Sequence, residues 1–179
     1  MKIEERPIST LHENHFVVSK IIEFPADDVW RIVAEEYGDQ YRSNPFVFHS
    51  EWIGWDTTVQ DGARRLCHFA EDGSKQGKER MVNVDKDAYT FTTQVFEAKG
   101  IEADPGHSGL TYRITPLFDT ACRLEMEVQS KTLPAFVGTV KRELFEEMVK
   151  GYMLGIEYHL KTGEDVTFHT GKKLLRALD

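Results

Sequence analysis

From residue 15 the chain reads HFVVSKIIEF, with Phe16, Val18, Ile22 and Phe24 on one side and Val17, Ser19, Ile21 and Glu23 on the other. A two-residue period of this kind marks a β-strand with two different faces, and Lys20 interrupts one of them. Pro25 ends the strand, since proline brings no N–H to a ladder, and Asp27 or Asp28 is placed to cap a helix. Val29, Trp30 and Val33 then recur at helical spacing. Gly38 and Asp39 are the expected end of that helix, with room between Gln40 and Asn44 for at most one further turn before Pro45.

Six more strand-like runs follow, at 46–56, 63–70, 78–85, 88–98, 109–118 and 120–131. Turn-forming groups separate them: Gln60-Asp61-Gly62, Glu71-Asp72-Gly73-Ser74, Asp85-Lys86-Asp87, Asp104-Pro105-Gly106 and a tight Phe118-Asp119-Thr120. Such short links favour antiparallel neighbours. The last run alternates most cleanly, with Cys122, Leu124, Met126 and Val128 opposite Arg123, Glu125, Glu127 and Gln129. One face of the sheet must be dry. Residues 134–163 can cover it: Val137, Val140, Leu144, Met148, Val149, Tyr152, Ile156 and Leu160 form a stripe at steps of mostly three and four, and Gly163 suits a helix end.

No linker or repeat divides the 179 residues, so residues 1–179 are expected to form one domain, with a core at about 15–163 and a tail at 164–179. The tail, with KKLLRAL near its end, reads as a short amphipathic helix or a frayed terminus. Lys and Arg number 22 against 30 Asp and Glu, a net charge of -8. That charge opposes a polyanion, so neither nucleic acid nor an anionic membrane is an expected partner. The opening MKIEERPISTLHENH lacks the apolar segment of a secretory signal, and no apolar run approaches the ~18 residues of a membrane span. A cytoplasmic protein without membrane insertion is the expectation.

Cys67 and Cys122 each lie inside an apolar run and read as small buried hydrophobes. The seven histidines show no ligand spacing, so no metal and no cofactor is expected. A Ser/His/Asp or Cys/His nucleophile and a glycine-rich phosphate loop are equally missing.

Strand, two short helices, six antiparallel strands and a long C-terminal helix is an α+β order. Together with the Pro-Ala-Asp-Asp-Val-Trp helix start, GARR at 62–65 and KERMVNVDKD at 78–87, it resembles the SRPBCC superfamily. That superfamily includes START-type lipid carriers, the major birch-pollen allergen, plant abscisic-acid receptors and bacterial proteins described as polyketide cyclase/dehydrase, the branch most similar to this chain. The resemblance spans residues 15–163. It implies a helix-grip fold, in which a curved seven-stranded antiparallel sheet wraps a long C-terminal helix around an elongated apolar cavity.

The resemblance matches Arg65 and Glu79 to the family's Gly-x-x-Arg and Glu-Arg motifs, and implies that Glu79 faces the pocket. If their strands form a hairpin, the two residues lie nearly opposite each other. Either Arg65 orients a ligand oxygen while Glu79 relays protons, or the two neutralise each other inside the barrel. Tyr112, beside Leu110 and Ile114, and Tyr89, beside Phe91 and Val95, fall on the dry face as core or as hydrogen-bonding groups. Gly151 and Gly155 each weaken a helix by about 1 kcal/mol, which implies close approach of a ligand or of the sheet near Met148 and Tyr152. Cys67, Met81, Phe91 and Met126 complete the expected lining. Trp52 and Trp55 lie on opposite faces, so one is exposed or at a rim.

Three functional classes follow. The first is binding or carriage of a small hydrophobic molecule such as a lipid, polyketide or aromatic compound. The second is a cyclase/aromatase or dehydratase using Arg65, Glu79 and Tyr112 as acid, base and proton donor. The third is a protein-interaction module like the Hsp90 co-chaperone relatives, with a patch near Trp55 or Leu174-Leu175. A homodimer is compatible with each.

Overall fold

Cys122, Leu124 and Met126 are wholly buried in the computed structural model, and Val128 nearly so. The model describes residues 2–5, 13–134, 137 and 140–177. The strands in chain order are β1 (Lys2–Glu5), β2 (Glu13–Ile22), β3 (His49–Trp52), β4 (Arg64–His68), β5 (Gln76–Asp85), β6 (Thr90–Lys99), β7 (Gly109–Phe118) and β8 (Ala121–Lys131). The helices are α1 (Ala26–Trp30), α2 (Arg142–Thr162) and α3 (Phe168–Arg176). All strands join one antiparallel sheet in the order β1-β2-β8-β7-β6-β5-β4-β3. The seven expected strands and the long helix form the helix-grip arrangement, and β1 adds an eighth strand at the edge. Four residues with one apolar position carry too little alternation to announce β1. No described helix is long and apolar enough to cross a membrane.

β2 meets β8 along its whole length, from Glu13↔Lys131 to Ile22↔Cys122, so Phe16, Val18 and Ile22 join the face of Leu124 and Met126. Lys20 has a structural use, since its ammonium pairs at 2.8 Å with Glu157 of α2 and ties sheet to helix. On the opposite face Glu127 is buried rather than solvated, held by His15 and Arg113 at 2.6 Å each.

Between β2 and β3 the chain differs from expectation in two ways. Pro25 occupies the N-cap of α1, and neither Asp27 nor Asp28 caps it; both lie in its first turn, where carboxylates offset the partial positive charge of a helix start. Nor does Gly38-Asp39 end the helical path. α1 runs into a π-helical turn over Arg31–Glu35, closed by Glu36 N–H donating to the Arg31 carbonyl at 2.8 Å, and then into a 3₁₀ segment, Tyr37–Arg42. The wider turn buries Ile32, Val33 and Ala34 together after Val29 and Trp30. Gly38 is required because a Cβ there would sit 2.2 Å from Cδ1 of Trp52.

The α2 glycines serve the same kind of contact. A Cβ on Gly155 would lie 2.2 Å from the Ser43 carbonyl oxygen, and one on Gly151 would lie 2.7 Å from the Phe46 ring. Neither the sheet nor an open space occupies this notch; the loop at 43–46 does. α3 seals it from outside, with Gly171 against Pro45 and Phe168 edge-on to Phe46 at 6.2 Å. Thr167 caps α3 by accepting from the Thr170 N–H. Leu174 and Leu175 are half-buried, so the tail is folded against the body. Gly163 ends α2 in the left-handed conformation, φ 71°.

Gly155→Ala tests the notch. Alanine should add about 1 kcal/mol of helix preference, yet the Ser43 carbonyl belongs to backbone and cannot move aside cheaply. A net loss of about 2 kcal/mol or more is expected in urea unfolding; unchanged or increased stability would contradict the packing.

Candidate functional site

β4 and β5 pair so that Arg65 stands directly opposite Glu79. Arg65 Nε donates to Glu79 Oε2 at 2.7 Å, Nη2 lies 2.6 Å from the same oxygen in the ion pair, and Nη1 donates to the Tyr37 carbonyl at 3.2 Å. The guanidinium also lies 4.0 Å from the centre of the Tyr37 ring. Burial opposes charge on Arg65, but the negative potential led by Glu79 outweighs it and holds the pKa well above the usual value. The Arg65 side chain is 2% exposed. Each of its three nitrogens therefore meets a protein acceptor, while Nη1 and Nη2 each keep a further N–H. Glu79 Oε1, by contrast, meets no hydrogen-bond donor among the described residues.

A cavity of about 240 Å³ opens beside this pair. Its polar end is formed by Arg65, Glu79, Gln40, Thr93, Tyr112 and Tyr152, and its apolar walls include Val95, Leu110, Val128, Phe145, Met148 and Val149. A second space of about 320 Å³ adjoins it toward Phe48, Leu144 and Phe168. Phe46, Phe69, Ile101, Phe145 and Met148 border both and form the partition.

An aromatic cluster supports the cavity from below. Phe91 and Tyr112, opposite each other on β6 and β7, stack at 4.5 Å, Trp30 meets Phe91 edge-on at 5.7 Å, and Tyr152 meets Tyr112 edge-on at 6.4 Å. The Tyr37 hydroxyl bonds Thr93. The Tyr112 hydroxyl is buried without any hydrogen-bond partner. Tyr152 is near enough to influence the Tyr112 pKa. Burial, and then Tyr152, push Tyr112 far above the normal phenol range, so it remains an O–H donor. Burial likewise lifts Tyr152, whose hydroxyl lies among Gln40, Tyr112 and Ser43.

Of the residues expected from sequence, Arg65, Glu79, Tyr112, Met148 and Tyr152 border this cavity. Cys67, Met81, Phe91, Met126, Tyr89, Gly151 and Gly155 do not. Met81, Phe91 and Met126 are filled core beneath or beside the floor. Cys67 is packed behind the ion pair, its sulfur 4.0 Å from Glu79 Oε2, and burial raises its pKa so far that the thiol stays protonated and is no nucleophile. Both cysteines are free and buried. Tyr89 precedes β6 at a left-handed φ of 50°; its ring turns to Trp30 at 5.8 Å and its hydroxyl donates to Asp27. Trp52 packs on Tyr37 at 5.6 Å, and Trp55 is fully exposed.

The helix phase also needs correction. Val140 and Leu144, expected in the apolar stripe, are 78% and 50% exposed, while Phe145 and Met148 face the cavity. The buried residues of α2 begin at Val149, and before it Phe145 and Met148 turn to the cavity while Leu144 turns outward. Gln40, Asn44, Phe46 and Thr93 were missed altogether. For the first three the only signal was indirect, since Gly151 and Gly155 announced a close neighbour without naming the loop.

Residues 13–161 match the family model described as "Polyketide cyclase / dehydrase and lipid transport". Among curated proteins none matches this sequence. Several solved structures share the fold. A protein from Thermobifida fusca, solved by solution NMR, has 16% identity and a TM-score of 0.65, covering 85% of this chain and 96% of its own. Truncated norcoclaurine synthase from Thalictrum flavum has 16% identity and a TM-score of 0.62, covering 88% and 98%. Ara h 8.0201 has 13% identity and a TM-score of 0.65, covering 84% and 99%. At such identities the likeness is one of fold.

A buried hydroxyl without a partner destabilises the empty protein by about 1–3 kcal/mol. Tyr112→Phe should therefore raise the unfolding free energy by about 1 kcal/mol in the ligand-free state, measured by denaturant titration. A loss instead would mean that the hydroxyl is satisfied within the protein.

Proposed function

The chain belongs to the polyketide cyclase/dehydrase and lipid transport family, and on that premise we propose that it binds a small, largely apolar molecule in the cavity between sheet and α2. One observation carries the reading: a space of about 240 Å³, walled by aliphatic and aromatic side chains, holds an unpartnered Tyr112 hydroxyl at its buried end. Apolar burial would supply most of the affinity, at about 25 cal/mol per Å² removed from water, and the polar end would fix orientation. The adjoining space bordered by Phe46, Phe145 and Met148 offers the approach.

A second reading, catalysis of the cyclase or dehydratase type, has one feature in its favour. Glu79 Oε1, free of donors, and the protonated Tyr112 phenol are a base and an acid lining one cavity. Arg65 is turned first toward Glu79 and Tyr37, which makes it a positioning group in this reading. The third reading, a protein-interaction module, has less support: Trp55 is exposed, but Leu174 and Leu175 are half-buried in the packed α3.

Fluorescence titration with the neutral dye N-phenyl-1-naphthylamine tests the binding reading. Saturable enhancement is expected in the wild type. Leu110→Trp, which places an indole in the cavity, should weaken the dye by at least about tenfold while the protein stays folded. Equal dye binding by wild type and a folded Leu110→Trp variant would place the dye elsewhere and reject the cavity as its site.

A further inference from the structure

The polar end of the cavity has an unusual balance of charge and free valence. Arg65 and Glu79 cancel in charge, and each guanidinium nitrogen already meets a protein acceptor. Among the groups lining that end, Glu79 has one carboxylate oxygen, Oε1, without a donor, and the Tyr112 phenol is without a partner. Glu79 Oε1 accepts hydrogen bonds and cannot be met by another acceptor. The Tyr112 hydroxyl can donate. A ligand carboxylate would bring a second anion beside Glu79, whose charge Arg65 already balances, and a ligand ammonium would enter a low-dielectric space already occupied by the Arg65 cation. Either ion would leave a net charge in an otherwise neutral, desolvated site.

A neutral hydroxyl satisfies both groups: its O–H donates to an acceptor and its lone pairs receive a donor. We propose that the ligand of this cavity is an uncharged, apolar molecule bearing an alcohol or phenol hydroxyl, which donates to Glu79 Oε1 and accepts from the Tyr112 O–H. This rests on the cavity being the ligand site. The apolar remainder lies along Leu110, Val128 and Met148 toward the partition. The pKa of Tyr112, raised mainly by burial, keeps the donating proton in place. Arg65 thus holds Glu79 in orientation.

Four probes on one frame separate the possibilities: 4-butylphenol, butylbenzene, 4-butylbenzoate and 4-butylbenzylammonium, each titrated calorimetrically against the full chain. The phenol is expected to bind at least about tenfold tighter than the other three. Tyr112→Phe should reduce the phenol to near the affinity of butylbenzene while leaving butylbenzene itself unchanged. Glu79→Gln keeps an oxygen for Arg65 but turns an N–H toward the cavity and adds a net positive charge. In that variant the benzoate should gain at least about tenfold relative to the phenol. If Glu79→Gln fails to fold, Tyr112→Phe still decides the matter. Wild-type binding in which the hydrocarbon or either ion equals or exceeds the phenol would overturn the hydroxyl inference and leave the cavity reading intact. Failure of all four to bind would overturn both.

Discussion

A guanidinium with almost no contact with water sits at the junction of β4, β5 and the 3₁₀ segment, and the geometry of the cavity depends on how it is neutralised. Removing one partner of such a pair typically costs about 3–5 kcal/mol, because the other is left charged and desolvated. Arg65 therefore fixes Glu79 opposite itself, and through the Tyr37 ring and carbonyl it fixes the 3₁₀ segment over the same strands. Tyr37 in turn reaches Thr93 on β6. The blind end of the cavity is thus held from three sides by one cation. That arrangement turns each nitrogen of Arg65 to a protein acceptor and leaves half of the Glu79 carboxylate without a donor.

The same region carries features that a solid core would lack. Tyr112 buries a hydroxyl with no partner, and α2 carries two glycines where alanine would make a better helix. The glycines are explained by packing, since the Ser43 carbonyl and Phe46 press into the helix there and bring the loop across the cavity wall. The hydroxyl is not explained by packing. A buried polar group that the fold leaves unsatisfied marks the place where stability and ligand recognition pull in opposite directions.

Much of the scaffold was legible in the amino-acid order. Cys122, Leu124, Met126 and Val128 declared the dry face, the turn residues declared the antiparallel series, and Arg65 and Glu79 fell opposite each other as their strand spacing suggested. What escaped detection depended on tertiary context. Tyr89 continues the apolar pattern of its strand but sits at a left-handed φ, which sends its ring to α1. Val140 and Leu144 keep the helical period although both are exposed. The lining from Gln40, Asn44 and Phe46 comes from a loop, where no period exists to be read. Met81, Phe91 and Met126 sit on the correct face but behind other side chains, a depth that face alternation cannot resolve.

The methionines offer a direct test of where the empty space lies. Met148 borders the cavity, whereas Met81, Met126 and Met153 are wholly buried and do not line it. In methyl-labelled protein, saturation with N-phenyl-1-naphthylamine should shift the Met148 methyl resonance strongly while the other three move little. A Met148 signal that stays in place at saturation, or an equal shift of all four, would contradict a preformed hollow beneath the helix.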